Sequence, residues 1–298
     1  MEDKVSLSSG AAGELVPFVP RLTIEWLTQH PDRLWLDREG TLAFVDISGF
    51  TAMSEQLSAL GRAGAEEVTD VMNGTFAALL DVAYAYGGGL LKFGGDALLI
   101  LFDGPGHAPR AAAAAVGMRD ALAAISRPQT SAGTVELRMH VGMHSGQFLF
   151  FLVGDSHREL IVAGPGATRT VEMEATSEAG DILLSPETAA ALPADCLGEP
   201  KGAGTLLVRA PEVEGALVPL PELKSIPLEQ AIPRPLRAQL LEVGRFEGEH
   251  RNAAIGFIRF SGLDDLLVAR GADGAAAALD AVVRTIQAAA DEYSVTFL

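Results

Sequence analysis

The chain has 298 residues, of which 48% are hydrophobic and 20% are charged, and its formal net charge is −17. This length and apolar content suffice for one large domain or two smaller ones, while the acidic balance argues against nonspecific binding to a nucleic-acid backbone. The only cysteine, Cys196, excludes an intrachain disulfide bond and a cluster of thiolate metal ligands.

Residues 1–37 are predicted to form an N-terminal packing arm, because prolines surround an amphipathic stretch that contains Trp26 and Trp35. No signal peptide is recognised in this segment, which indicates a cytoplasmic protein. The longest apolar runs, such as residues 148–153, are far shorter than the roughly 20 residues that cross a bilayer. We therefore expect no membrane span.

A strand, a helix and a hairpin are predicted next. Residues 41–47 are apolar and lie between turn signals, as in a buried strand. The apolar side chains that then recur at helical spacing are Val68, Val71, Met72, Phe76, Leu79, Val82 and Tyr86. The glycines at 87–89 end this helix, and residues 90–102 form a β-hairpin around a turn at residues 94–96.

Further elements alternate through the middle of the chain. An alanine-rich helix is predicted over residues 107–125. Residues 135–144 and 147–153 are two apolar runs separated by Ser145 and Gly146, so we expect an antiparallel pair of strands that turns at these two small residues.

Short elements follow in the last part of this region. Residues 159–163 are predicted as a strand and residues 165–178 as a helix. Ser185, followed by Pro186 and Glu187, is typical of an N-cap residue, a proline at the first helical position and an acid in the first turn. A further helix is therefore expected after Ser185.

The order of elements indicates an α+β fold with one antiparallel-rich sheet and helices on one face of it. A strand–helix–hairpin order does not suit a doubly wound nucleotide fold, and the sequence has no GxGxxG fingerprint after a strand and no P-loop. Residues 198–228 are predicted to form short strands interrupted by proline and glycine. Residues 229–250 are predicted to connect two domains.

The sequence contains an internal repeat. Residues 257–262 (Phe-Ile-Arg-Phe-Ser-Gly) resemble residues 44–49 (Phe-Val-Asp-Ile-Ser-Gly) with an offset of 213 (262 − 49). Tyr293 lies where Tyr86 does, with an offset of 207 (293 − 86). A helix is predicted between the matched points in both copies.

The repeat predicts the organisation of the chain into domains. We expect a first domain over residues 38–228, a linker over residues 229–250, and a second, degenerate copy over residues 251–298 that stops before its own hairpin. Arg259 occupies the position in the second copy that Asp46 occupies in the first.

Two aspartates, Asp46 and Asp96, are the strongest candidates for chemistry. They are fifty residues apart (96 − 46 = 50); one lies at the end of a predicted buried strand and the other at the tip of the predicted hairpin. Carboxylates that converge at a sheet edge suit Mg²⁺ or Mn²⁺, which prefer oxygen ligands and bind nucleotide phosphates. A structural role is the alternative for each, as a helix cap for Asp46 and as a turn residue for Asp96.

These segments carry a family resemblance. Residues 44–51, followed by residues 91–98 (Leu-Lys-Phe-Gly-Gly-Asp-Ala-Leu), resemble the catalytic domain of class III adenylate/guanylate cyclases, most closely the soluble adenylyl cyclase branch with tandem cyclase domains. Residues 141–146 are similar to the central strand and turn of that family. The resemblance covers roughly residues 40–210 and the fragment after residue 250, and it implies the ferredoxin-like cyclase sandwich.

The resemblance also implies a reaction. Two divalent cations, Mg²⁺ or Mn²⁺, would be held by Asp46, Asp96 and the backbone carbonyl of Ile47, and ATP would be converted into cyclic AMP and pyrophosphate for intracellular signalling. The phosphate groups would bind where the next helix begins, at Ser48, Gly49, Phe50 and Thr51. The preference for ATP over GTP rests on the resemblance alone, because the residues present do not distinguish the two.

Two positions depart from the family pattern. The family has an asparagine and, four positions later, an arginine where this chain has Thr168 and Glu172; Arg169 lies nearby but out of register. Threonine is a poor substitute for the amide, and glutamate has the wrong charge beside a triphosphate. The chain therefore resembles the metal-supplying half of a shared site. The other half would come from a second cyclase domain in the same chain or from a dimer partner, and this chain alone is not expected to be active.

Several alternatives stay open. Lys92 could read the purine, line a degenerate pseudo-site that accepts a regulator such as bicarbonate, or be a solvated hairpin lysine. His140 and His144 could mimic a metal pair, but histidines satisfied within the sheet are the simpler interpretation. The main functional rival is an inactive pseudo-cyclase that senses a nucleotide or an anion. A diguanylate cyclase is disfavoured because Ala97 and Leu98 follow the hairpin motif.

Overall fold

A computed structural model describes residues 13, 15–219, 227–242, 253–293 and 295–297 of this chain. The chain divides into two compact units. We call residues 38–148 and 165–218 the sheet unit, and residues 1–37, 149–164 and 219–298 the second unit. The domain boundaries expected at residues 38, 228 and 250 stay predictions, and the first 12 residues of the expected arm lie outside the described residues.

The elements of the first half begin with a 3₁₀ turn at Val16–Phe18. They are α1 (Arg21–Gln29), β1 (Trp35–Ser48), α2 (Phe50–Ser58), α3 (Arg62–Ala85), β2 (Gly88–Gly94), β3 (Ala97–Asp103) and α4 (His107–Ile125). The predicted helix over residues 107–125 is confirmed at both ends, and the predicted hairpin is confirmed as β2 and β3.

The second half contains the remaining strands and helices. They are β4 (Gln129–Thr130), β5 (Gly133–Thr134), β6 (Arg138–Val153), β7 (Glu159–Ala163), α5 (Pro165–Thr176), β8 (Ile182–Leu184), α6 (Pro186–Ala190), β9 (Leu197–Lys201), β10 (Gly204–Leu207), α7 (Arg234–Glu242) and α8 (Leu263–Glu292). Short 3₁₀ turns lie at Ala194–Cys196 and Leu228–Ala231. The linker predicted over residues 229–250 therefore includes α7.

The sheet has the strand order β2-β3-β1-β6-β8-β10-β9. The pairs β2–β3, β1–β3, β8–β10 and β9–β10 are antiparallel, and β6–β8 is parallel. In the second unit, β7 pairs antiparallel with residues 149–153 of β6. The predicted α+β class with an antiparallel-rich sheet is confirmed.

Strand β6 corrects one expectation. It runs unbroken through Ser145 and Gly146, where an antiparallel pair was predicted to turn. Ser145 is buried, and its hydroxyl group lies 2.8 Å from that of Thr41 on β1 and 2.9 Å from that of Thr188. These hydrogen bonds hold the serine inside the sheet, so the small residues do not act as a turn.

The main core lies between one face of the sheet and helices α2, α3 and α4. Alternate residues of β1 (Ala43, Val45 and Ile47) are buried there with Phe50 of α2. Val141 and Met143 of β6 face this core, so Gly142 between them faces the other side of the sheet. A Cβ added at Gly142 would lie 2.0 Å from the backbone nitrogen of Glu174. Helix α5, which contains Glu174, therefore lies on the opposite face. The expectation that all helices pack on one face was wrong.

The second unit has its own smaller core. Phe151 and Val153 of β6 are buried with residues of α8, which are Ala275, Ala276, Leu279 and Val283. Helix α8 contains a break at Gly271, whose φ is 67°. Residues 253–262, which precede α8, form no regular element.

The backbone repeats at three points along the two sequence copies. Gly262 before α8 has φ 92° and ψ 7°, and Gly49 before α2 has φ 107° and ψ −21°. Gly61, which separates α2 from α3, has φ 71°, close to the 67° of Gly271. The helices end at Tyr86 (φ −98°, ψ 10°) and at Tyr293 (φ −100°, ψ 12°). Both copies therefore have a helix, a left-handed glycine and a longer helix.

Candidate active site

The two aspartates singled out in the sequence lie at the same end of neighbouring strands. Asp46 on β1 pairs with Ala97 on β3, and Asp96 is the residue just before Ala97 in the hairpin turn. The turn is tight, since Gly94 pairs with Ala97 and leaves only Gly95 and Asp96 between the strands. Gly95 has a φ of 73°, a conformation that glycine adopts without strain. The sheet register thus brings both carboxylates to one edge.

The electrostatics of Asp46 reflect the acidic groups that lie near it. Burial raises the pKa of the Asp46 carboxyl above its usual range, and the negative charges of Asp96 and Glu174 raise it further. The charge of His140 and a hydrogen bond from the backbone of Ile47 act in the opposite direction. A divalent cation would relieve this repulsion, because it favours the ionised form of both aspartates. The carboxylate oxygens of Asp46 and Asp96 therefore fit the oxygen-preferring cations that the sequence implied.

Two further side chains join Asp46. Nε2 of His140 lies 3.0 Å from Oε1 of Glu174 and 3.5 Å from Oδ2 of Asp46. These side chains are mostly buried, with exposed fractions of 14% for His140, 17% for Glu174 and 28% for Asp46. Sequence reasoning treated His140 as a satisfied sheet histidine and missed Glu174 entirely.

Gly142 explains how Glu174 reaches this place. A Cβ at Gly142 would lie 2.0 Å from the nitrogen, 2.5 Å from the Cα and 2.7 Å from the Cβ of Glu174. Only glycine lets the backbone of α5 lie this close to β6, two residues from His140. The signal in the sequence was a glycine in the interior of a predicted strand, which often marks a close approach of another backbone.

The start of α2 is the predicted phosphate-binding segment. Gly49 occupies the N-cap position with φ 107°, and no side chain caps the helix in this described part of the chain. Phe50 is 2% exposed and fixes the first turn in the core, while Thr51 is exposed and Ser48 is half-buried. The first N–H groups of a helix lack intrahelical partners and attract anions. The local structure is thus compatible with phosphate binding.

The two positions that depart from the family pattern lie on the exposed side of α5. Thr168 and Glu172 are both exposed, and Oε2 of Glu172 lies 3.5 Å from Nη1 of Arg169. Arg138 forms a similar exposed pair with Glu136 at 3.1 Å. Arg138 and Arg169 are therefore surface ion-pair residues, and neither is among the groups around Asp46 described above.

Lys92 lies on β2 and is exposed. Its neighbour Phe93 is 54% exposed, although its ring centroid is 5.3 Å from that of Phe76 on α3. Lys92 and Phe93 are therefore both accessible on β2, as neighbours in a strand whose consecutive side chains point to opposite faces. The role of Lys92 stays a prediction.

His144 lies at one end of a chain of hydrogen bonds between buried hydroxyl groups, which are those of Ser185, Thr188, Ser145 and Thr41. The contacts of this chain do not include Asp46, His140 or Glu174. Nδ1 of His144 lies 2.9 Å from the hydroxyl group of Ser185, the residue that caps α6. At the other end, Nδ1 of His107 lies 2.8 Å from the hydroxyl group of Thr41. Burial lowers the pKa of both imidazoles. The prediction that His144 is satisfied within the sheet is confirmed.

Arg259, which the sequence predicts to occupy the position of Asp46 in a second copy, is exposed in the irregular segment 253–262. In the described part of the chain, every helix is too short or too polar to cross a lipid bilayer.

Comparison with known proteins places this geometry in context. Residues 37–214, more than half of the chain, match the family model for the adenylate and guanylate cyclase catalytic domain. Adenylate cyclase type 10 of Homo sapiens is 29% identical over 162 residues, which are 52% of this chain and 10% of that protein. Adenylate cyclase type 10 of Oryctolagus cuniculus is 28% identical over 190 residues, which are 61% of this chain and 12% of that protein.

A solved structure agrees with the fold. The structure of a bacterial light-regulated adenylyl cyclase has a TM-score of 0.54 at 16% identity, over 78% of this chain and 66% of that one. At this identity the likeness shows the fold alone. The chain spans only 10–12% of the length of the two curated relatives.

Proposed function

This chain belongs to the class III adenylate and guanylate cyclase family, and on that premise we propose that it supplies the metal-binding half of an adenylate cyclase site. The reaction would convert ATP into cyclic AMP and pyrophosphate. The observation that carries the proposal is the convergence of Asp46 and Asp96 at the end of paired strands, where the charge of Asp96 raises the pKa of Asp46.

The residues of this chain have separable tasks in that reaction. Asp46 and Asp96, with the backbone carbonyl of Ile47, would hold the divalent cations. These cations, when bound, supply activation of the ribose 3′-hydroxyl group and neutralise charge on the leaving pyrophosphate. The backbone N–H groups of Phe50 and Thr51 would orient phosphate oxygens. The burial of Phe50 keeps that helix start fixed relative to β1.

A second cyclase domain would supply the rest of the site. Thr168 offers no amide, and Glu172 offers a negative charge that is already paired with Arg169. Neither can stabilise the growing charge of a transferring phosphoryl group. The partner would be a domain of the same chain or a second chain that brings an asparagine, an arginine and a base-reading lysine. Lys92 would then face the degenerate pseudo-site.

ATP is favoured over GTP because the curated relatives that match this chain carry the name adenylate cyclase. The residues present do not themselves select adenine. A cytoplasmic location likewise remains a prediction.

A pseudo-cyclase that only senses a nucleotide or an anion is the second candidate. The observation that favours it is the exposed pair formed by Glu172 and Arg169 at a position where catalysis needs a free cation. The two convergent aspartates oppose it, because ionising Asp46 in this buried, acidic setting is unfavourable without a cation.

The test uses a protein that continues through a complete second cyclase domain. With Mn²⁺ we expect cyclic AMP formation from ATP, and we expect Asp46→Ala and Asp96→Ala each to lower the rate by about 10²–10³-fold, the scale of losing a group that stabilises transition-state charge. Cyclic AMP and cyclic GMP are both measured. Asp120→Ala, on the exposed side of α4, is the matched control and should keep full activity.

Two outcomes would count against the proposal. A folded two-domain protein that forms neither cyclic nucleotide would favour the pseudo-cyclase. Full activity in either aspartate variant would remove the metal assignment.

A further inference from the structure

Three side chains of different chemistry meet on the face of the sheet that α5 covers. The ligand atoms of Asp46, His140 and Glu174 all lie within 4.8 Å of one another, with 3.0 Å and 3.5 Å separating Nε2 of His140 from the two carboxylate oxygens. Two ligands that are each about 2.1 Å from one ion lie about 3.0 Å apart at a right angle and about 3.4 Å apart at the tetrahedral angle. Both distances from the imidazole match ligands of a single ion, and in the metal-free chain the 3.0 Å contact between His140 and Glu174 is a hydrogen bond.

The imidazole decides which ion fits. Imidazole nitrogen suits zinc and other transition metals, whereas Mg²⁺ prefers oxygen ligands in near-ideal octahedral geometry. We propose that Asp46, His140 and Glu174 form a site for a divalent transition-metal cation, with Zn²⁺ bound in preference to Mg²⁺. This site shares Asp46 with the carboxylate pair described above, and it uses His140 and Glu174 in place of Asp96.

The scaffold holds the three ligands in place. Asp46 lies on β1 and His140 on the adjacent strand β6, and Gly142 keeps the backbone of α5 directly against that strand. Sites on strands and helices hold their geometry better than sites on loops. Three protein ligands also leave a fourth position for water or for a substrate oxygen, as in catalytic zinc sites.

The surroundings of His140 limit the expected affinity. Nδ1 of His140 is buried and makes no hydrogen bond to the described residues. A ligating histidine usually donates from its other nitrogen, and losing such a partner lowers metal affinity by about 10–100-fold. We therefore expect micromolar binding of Zn²⁺ to this site, which suits exchange with the medium.

The site has a consequence that rests on the proposed function. A Zn²⁺ ion held by the trio occupies Asp46, so it competes with the cations that serve the cyclase reaction. Zinc would then inhibit the cyclase at Mg²⁺ concentrations that support turnover.

The test measures binding directly and needs no cyclase activity. The metal-free 298-residue chain is titrated with ZnCl₂ in a calorimeter, with and without excess Mg²⁺. We expect one equivalent of Zn²⁺ to bind with micromolar affinity, and this affinity should be weakened at least about tenfold by His140→Asn and by Glu174→Gln. Asp96→Asn should change the affinity less than about threefold, because Asp96 is not a ligand in this arrangement. His30→Asn removes a histidine outside the trio and should change nothing.

Three results would overturn the proposal. They are no stoichiometric Zn²⁺ binding, unchanged binding in both His140→Asn and Glu174→Gln, or a loss in Asp96→Asn as large as that in His140→Asn. Thermal unfolding checks that each variant is folded. If one variant does not fold, the absorption spectrum of Co²⁺ bound to the wild-type chain tests whether an imidazole is a ligand. Coordination by an imidazole changes the absorption bands of Co²⁺, and unchanged bands would contradict the proposal. A cyclase that is inactive would leave this result unaffected, and absence of zinc binding would leave the cyclase proposal standing.

Discussion

The two segments that the sequence predicts to be copies differ in burial, although their local backbone conformations agree. In the first copy, Val45 and Ile47 are fully buried within β1. In the second copy, the matching Ile258 and Phe260 are 62% and 48% exposed, and Phe257 is 95% exposed. The helices that follow nevertheless have the same glycine break and the same terminal tyrosine.

This contrast separates local from nonlocal information. A helix makes its hydrogen bonds within itself, and a left-handed glycine ends it wherever it stands. A strand needs neighbours, and β1 has β3 on one side and β6 on the other. Residues 253–262 pair with no strand of the described chain. The same sequence pattern therefore forms a strand only where distant segments meet it.

The largest expected effect comes from replacing one isoleucine by alanine in each segment, Ile47 in β1 and Ile258 in the segment that precedes α8. Ile47→Ala should destabilise the protein by about 2–5 kcal/mol, because it empties a closed site in the core. Ile258→Ala should change stability by less than about 0.5 kcal/mol, since this side chain is largely exposed. Urea midpoints at constant m-value measure both. Equal losses would show that residues 253–260 are packed in solution, and the contrast would fail.

Alanine substitutions at the glycines that precede α2 and α8 should differ less in their stability cost than the two isoleucine substitutions do. Gly49→Ala should cost about 2–4 kcal/mol, because a left-handed residue costs about 1–2 kcal/mol and the new Cβ would meet the carbonyl oxygen of Glu136 at 2.6 Å. Gly262→Ala should cost only the conformational part, about 1–2 kcal/mol, because no atom of the described residues other than its chain neighbours lies within 4 Å of the added Cβ. Thermal melts compare them. Gly61→Ala and Gly271→Ala, both open, serve as a pair that should match.

The smallest effect concerns the residue pair Asp46 and Arg259. The pKa of Asp46 is raised by burial, so its contribution to stability is full below the unfolded pKa and decreases as pH rises through the folded pKa. Asp46→Asn should therefore raise the Tm at pH 7 in metal-free buffer, by no more than about 4 °C, and the gain should vanish below about pH 3.9.

Arg259→Asn is the control for this substitution. Arg259 is exposed, so the Tm should stay unchanged at both pH values. A lower Tm in Asp46→Asn at pH 7 would mean that the contact with His140 outweighs burial and the repulsion from Asp96 and Glu174.

Several elements of the fold followed from sequence patterns. The α4 bounds, the β7 bounds and the cap at Ser185 were predicted because periodicity, glycine turns and capping residues act over a few positions. The pairing of Asp46 and Asp96 followed because each lies beside a motif that the family resemblance orders in space.

Other features depend on contacts that no local pattern encodes. The turn expected at Ser145 and Gly146 fails because hydroxyl partners from β1 and α6 hold the chain extended. Glu174 lies beside His140 only because α5 crosses β6 at Gly142. This contact joins residues that are 32 positions apart in the sequence (174 − 142). Such contacts are set by packing, which sequence spacing does not report.

The buried hydroxyl chain constrains where protons can be. The groups along it are Nδ1 of His107, Thr41, Ser145, Thr188, Ser185 and Nδ1 of His144. Four hydroxyl groups can donate only four hydrogen bonds, but the chain has five links, so at least one imidazole must donate. Since Thr188 donates to Ser145, Ser185 must donate to Thr188, and Nδ1 of His144 must donate to Ser185. The Nδ1 proton of His144 is thus fixed by the direction of a hydrogen bond between two other side chains, Thr188 and Ser145.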